Sequence, residues 1–244
     1  MAGWITHSRI ADELLGRGLN LDVQNFCIGN IAPDCNVENE DWSAFTPPRE
    51  VTHWMSTKNQ KLTADYEGFY TQYVENRPDL PKEERDFLLG YYAHLIADVE
   101  AQRYLRDPAR VQAIFTRIAE IPEMHDKVKD LPQAMDTLKS VFGGRKAVSQ
   151  DIAYMENRYI LEHPDSVYNT IVRTTTAFPD YLDFLPAGAI PRKIKIIAVP
   201  ADPTMQETDF IFYSEEEYES LIHHTVNLIC ERLQEKFNIQ PFSL

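Results

Sequence analysis

The chain has 244 residues, of which 43% are apolar and 25% charged, and a formal net charge of -14. That length suits one large domain or at most two, with a sizeable core. The charge argues against partners that demand a cationic surface, duplex nucleic acid and anionic membranes among them. With only 9 glycines, a sheet protein full of tight turns is disfavoured. Cys27, Cys35 and Cys230 are odd in number and show neither disulfide nor zinc-knuckle spacing. The N-terminal stretch MAGWITHSRIADELLGRG lacks the apolar core and cleavage site of a secretion signal. No run reaches the ~18 apolar residues of a membrane span. The expectation is a cytoplasmic protein without integral membrane association.

Helical periodicity dominates. A first helix is predicted over Thr6–Leu15. Residues 25–45 form a short apolar turn that breaks at Pro33 into an acidic loop. Thr46, Pro47 and Pro48 read as a helix start, and the helix is predicted to run to Asn76. Its inner face would carry Val51, Trp54, Leu62, Tyr66, Phe69 and Tyr73. Pro78 and Pro81 mark the next connection, before a long helix over Lys82–Leu105. Further helices are predicted from Pro108 to Ile121, over Glu123–Val141 and over Val148–Glu162. Residues 177–210 are proline-rich and irregular, with Lys193–Val199 as either a strand or a helical turn. Glu215–Phe237 is the last helix. No repeat or composition shift divides the chain, so the expectation is a single all-α domain over residues 1–244.

Chemistry concentrates in FLLGYYAHLIADVEAQRYL, residues 87–105. His94 and Asp98 are four apart and share one helical face with Phe87, Tyr91, Ala101 and Leu105. The opposite face is also apolar, through Leu89, Ile96 and Val99, so this is a buried central helix. A buried aspartate is costly unless its charge is compensated. The bland account is a core His–Asp ion pair. For Asp34, in GNIAPD, it is a turn-forming residue; for His53, beside Trp54, a packed or capping histidine just inside a helix N-terminus. Taken jointly, Asp34, His53, His94 and Asp98 supply two imidazoles and two carboxylates, a donor set suited to zinc ahead of manganese or iron. Cys35 adjoins Asp34 and reads as a bystander thiol.

The order His7, GNIAPD with Asp34, THW with His53 and GYYAHLIAD with His94 and Asp98 resembles the zinc-dependent phospholipase C family, relatives of the fungal single-strand-specific zinc nucleases. The resemblance covers about residues 4–105. It implies a helical bundle with Asp34, His53, His94 and Asp98 on a first metal. It also implies a second metal shared by Asp98 and His7. The family's further ligands are absent: Gln102 and Tyr104 occupy the region of an expected histidine, and no histidine is followed four residues later by glutamate. Trp4 is not N-terminal here, so it lacks the free amine that secreted members use. Elsewhere, Glu219 and His223 read as a solvated ion pair, His224 as exposed, His125–Asp126 as an isolated dipeptide and His163 as a helix-end residue. G-x-S-x-G, glycine-rich phosphate-loop and H-E-x-x-H motifs are missing.

These readings make the chain a zinc-dependent phosphoester hydrolase with one zinc and room for a second. Asp34 is the candidate catalytic residue, a role the resemblance suggests. The substrate would be a small phosphoester or a phospholipid headgroup. The rival expectation is a degenerate, non-catalytic metal-binding relative. A third is a metal-free helical scaffold.

Overall fold

Helices account for most of the structure, a computed structural model that describes residues 3–55 and 64–237. Helix α1 (Trp4–Gly16) precedes α2 (Val23–Gly29), whose start Asp22 caps by accepting from the Asn25 amide at 2.9 Å. A 3-10 turn (Ala32–Asp34) leads into an antiparallel hairpin, β1 (Val37–Glu38) and β2 (Phe45–Thr46), with Val37 opposite Thr46. Next come α3 (Arg49–Thr52), α4 (Tyr66–Tyr70) continued by a π-turn (Thr71–Glu75), and α5 (Lys82–Leu105). The second half comprises α6 (Pro108–Ala119), α7 (Pro122–Val128), α8 (Met135–Phe142), α9 (Arg145–Val148) and α10 (Gln150–Glu162). A π-turn (Tyr168–Val172), α11 (Ala189–Ile197) and α12 (Glu215–Phe237) complete it. No helix among the described residues is long and apolar enough to cross a membrane.

The core is organised around α5, which is buried without interruption from Asp86 to Ala101. Asp86, the one acidic residue at its buried N-terminal end, is neutralised by Arg85 at 2.8 Å and by Lys82. Against α5 lies α2, and the two backbones meet at a glycine on each. A Cβ on Gly29 would stand 1.9 Å from the Phe87 carbonyl oxygen, and one on Gly90 would stand 2.0 Å from that of Phe26. Only hydrogen at both positions permits this approach. Helix α12 starts with a reciprocal cap. The Glu217 amide donates to Ser214 Oγ at 3.1 Å and the Ser214 amide to Glu217 Oε2 at 2.9 Å. It packs on α5 and also grips α1, through Arg9 to Glu219, Thr6 Oγ1 to Tyr218 Oη at 2.9 Å, and Arg17 to Asn227 at 2.6 Å.

Three expectations need correction. The helix expected from Pro47 to Asn76 is not continuous. It stops after one turn at Thr52, Trp54 turns left-handed (φ 49°), and Met55 bridges Ala64 before Asp65 caps a new helix by accepting from the Gly68 amide at 2.9 Å. Val51 is therefore exposed at 44% rather than inward, while Phe69 is fully buried and Trp54 and Tyr73 ring it; Leu62 lies outside the described residues. The helix expected over Glu123–Val141 divides into α7 and α8, because Pro132 cannot donate within a helix and disfavours helical backbone before it. Residues 177–210 are not irregular throughout: α11 lies within them from Ala189, and it makes Lys193 to Ile197 helical, the second of the two alternatives for Lys193–Val199.

Gly29→Ala and Gly90→Ala should each lower the free energy of unfolding by about 3 kcal/mol or more, since the clash is with backbone that cannot rotate aside. Gly16→Ala, where an added Cβ meets nothing within 4 Å, should be neutral or slightly stabilising. Urea denaturation compares the three. A Gly90→Ala midpoint equal to wild type would show that α2 and α5 can part at no cost.

Candidate metal centre

Four segments converge on one cluster. α1 brings His7, the turn after α2 brings Asp34, the end of α3 brings His53, and α5 brings His94 and Asp98. His7, His53, His94 and Asp98 are buried, whereas the Asp34 side chain keeps 23% exposure. Two ligand triads result, His7 with His94 and Asp98, and Asp34 with His53 and His94. In each, the donor atoms lie within 4.8 Å of one another. These buried groups can hold a metal ion. His53 follows the last residue of α3 rather than sitting near a helix start, so the chain reversal at Trp54 is what aims it inward.

The imidazoles are oriented by their surroundings. His94 Nδ1 donates to the Asn30 carbonyl oxygen at 2.8 Å, which leaves the Nε2 lone pair of the neutral ring pointing at His53 Nε2, 3.4 Å away. Burial, with the neighbouring His7 next in weight, depresses His94 to a pKa of about 3, so the ring is neutral near pH 7. His53 Nδ1 lies 2.9 Å from Thr52 Oγ1, and the Thr52 carbonyl accepts from the buried Tyr91 hydroxyl. His7 stacks on His94 with ring centroids 3.8 Å apart. Among the described residues neither ring nitrogen of His7 has a hydrogen-bond partner; Nε2 stands 3.6 Å from Asp98 Oδ1. Buried imidazole nitrogens left in this state are what a ligand set for a cation presents.

The carboxylates are charged and close. Burial works against ionisation of Asp34, but the hydrogen bond from His53 and the nearby His94 imidazole outweigh it, and the group falls well below the usual carboxylate range. Asp98 behaves alike: burial opposes its ionisation, and His7 and His94 overcome that. His53 Nε2 lies 3.3 Å from Asp34 Oδ1 and 3.6 Å from Asp98 Oδ2. Arg49 joins the two acids, reaching Asp34 Oδ1 at 3.3 Å and Asp98 Oδ2 at 2.8 Å.

The structure thus brings Asp34, His53, His94, Asp98 and His7 together. Arg49, Asn30 and Glu156 escaped the sequence reading. Arg49 lacks any motif. Asn30 sits inside GNIAPD, but its carbonyl is the functional atom and a backbone oxygen leaves no composition signal. Glu156 is 150 residues from Thr6, from which it accepts amide and hydroxyl bonds at 3.0 and 2.5 Å. Glu219 does not pair with His223: it takes Arg9, one turn of geometry the sequence cannot show. His224 is exposed and reaches Glu100 at 3.3 Å; His125, Asp126 and His163 are exposed, His163 ending α10. Cys35 is buried with its thiol bonded to the Ile31 carbonyl at 3.4 Å, and burial raises its pKa far above the usual thiol range. Comparisons with protein-family models, curated proteins and solved structures find no match to this chain.

Arg49 balances two negative charges, so Arg49→Gln should destabilise the chelator-treated protein by about 2 kcal/mol. Zinc should restore most of the loss. Thermal melts in chelator and in zinc read both effects, and a variant that melts with wild type in chelator would mean that Asp34 and Asp98 are neutralised elsewhere.

Proposed function

We propose that this protein is a metal-dependent phosphoester hydrolase, with zinc the metal its donors suit best. One observation carries the reading: Asp34, His53 and His94 offer their ligand atoms within 4.8 Å, with the His94 tautomer set by the Asn30 carbonyl. Two carboxylates and the imidazole nitrogens form an oxygen and nitrogen set of the kind zinc takes. The order of motifs, which resembles the zinc-dependent phospholipase C family, supports the same reading and the same helical architecture. When bound, such a metal polarises a phosphoryl oxygen and acidifies water.

The chain's own residues divide the work. His53, His94 and Asp98 hold the cation, and His7 with Asp98 supplies a place for a second. Arg49 is positioned to swing from the two carboxylates to a phosphoryl oxygen, for which its planar donors are well matched. Asp34 is the most exposed of the four first-metal residues, and it stays ionised far into acid. From that position Asp34 orients the attacking water or accepts its proton. A second reading, a non-catalytic metal-binding relative, draws on Arg49 as well, because that side chain bonds both carboxylates.

Untagged protein should contain at least one zinc per chain, and anomalous scattering should place any second peak within about 4 Å of the first, beside His7. Asp34→Asn should retain metal but lose at least ~100-fold in turnover of a nitrophenyl phosphodiester. Wild type and Asp34→Asn equally inactive across a phosphoester panel would leave the non-catalytic reading. Protein that neither contains nor takes up metal would end both.

A further inference from the structure

The cluster borders a cavity of about 370 Å³, where Arg49, His53 and Asp98 form part of the lining. Much of the remaining wall is apolar, with Val99 and Leu105 from α5, Ile152 from α10, and Tyr218 and Leu221 from α12. Tyr213 joins them on a loop that Asp151 pins, accepting from the Phe212 and Tyr213 amides at 2.8 and 3.0 Å. Lys139 and Arg145 enter the lining from α8 and α9, helices that contribute nothing to the metal centre.

The charges of this lining run against those of the chain. The protein has 38 acidic residues and 24 basic ones, yet among the described residues three cations and two carboxylates line the cavity. Arg49 and Asp98 offset each other at 2.8 Å, and Glu156 accepts from Thr6, so Lys139 and Arg145 stand against one remaining carboxylate. Asp136 stands 3.9 Å from Lys139, yet burial first and then Arg106 hold this lysine below its usual range. An anion at that wall relieves this repulsion. The volume is at the low end of the ~300–1,000 Å³ that encloses a single small ligand, so two long acyl chains have no room inside.

We infer that the cavity selects a compact phosphoester that carries an apolar, ring-sized body and a second anionic group. The inference rests on the phosphoester reading above and names its substrate class. The phosphoryl group lies at Arg49 and the metal ligands, the body lies against Leu105, Ile152 and Tyr218, and the second anion meets Lys139 and Arg145.

Calorimetric titration of the zinc-loaded full chain with phenylphosphonate and with 4-phosphonobenzoate tests this, with benzoate as the carboxylate-only control. The added carboxylate should tighten binding about tenfold, the scale of a charge-assisted contact. In Lys139→Met and Arg145→Gln variants that retain wild-type circular dichroism, the ratio of the two affinities should fall towards one. The inference is overturned if the carboxylate adds nothing in wild type, if its gain survives both substitutions, or if neither phosphonate binds. Binding with the carboxylate gain, without turnover of 4-carboxyphenyl phosphate, keeps this inference and removes the hydrolase reading. Turnover of nitrophenyl diesters with no carboxylate preference does the reverse.

Discussion

The contact between α2 and α5, backbone on backbone at Gly29 and Gly90, is the constraint on which the centre depends. Helices separated by ordinary side chains sit 8–10 Å apart. Here the missing Cβ atoms let the end of α2 press onto α5, and the next residue, Asn30, delivers its carbonyl to His94. The Asn30 side chain meanwhile donates to the His7 carbonyl at 2.9 Å, so one residue registers α1, α2 and α5 together. Ligand geometry in this protein is therefore a matter of helix spacing before it is a matter of side-chain chemistry.

Charge is the second organising term. Asp34 and Asp98 are acids placed close to three imidazoles, of which His94 is held neutral, and a single guanidinium spans them. Leaving two such carboxylates without compensation in a low-dielectric setting costs several kcal/mol. A divalent cation and an arginine answer the same need, and the cluster has enough acceptor oxygens for both. The arginine thus links the charge balance of the centre to the wall of the cavity that it lines.

Much of this was legible in the sequence. The i, i+4 spacing put His94 and Asp98 on one face of an apolar helix, and the structure buries that helix from Asp86 to Ala101. The meeting of Asp34 and His53 with that face followed from no spacing rule, since their approach depends on a left-handed Trp54 and on the glycine contact. Aromatic residues at helical intervals from Val51 to Tyr73 mimicked one long helix, when two short ones share the stripe. Lys139, Arg145 and Glu156 belong to the cavity only because α8, α9 and α10 share its lining with α5, and pairing at such separations leaves no local signal.

The grip of α12 on α1 has a consequence for how the chain can be divided. All five cluster residues precede Leu105, so the donors are specified within the first half. The helix that carries His7 is nevertheless held from the far end: Arg9 by Glu219, Thr6 by Tyr218 and Glu156, and Asp12 by Tyr159 at 2.8 Å. Lys236 extends the same strap to Glu67 at 2.7 Å, ahead of α5. The stretch that encodes the donors and the stretch that keeps them in place are different lengths of polypeptide. Cutting the chain after α5 would keep every ligand and discard the frame that aims them.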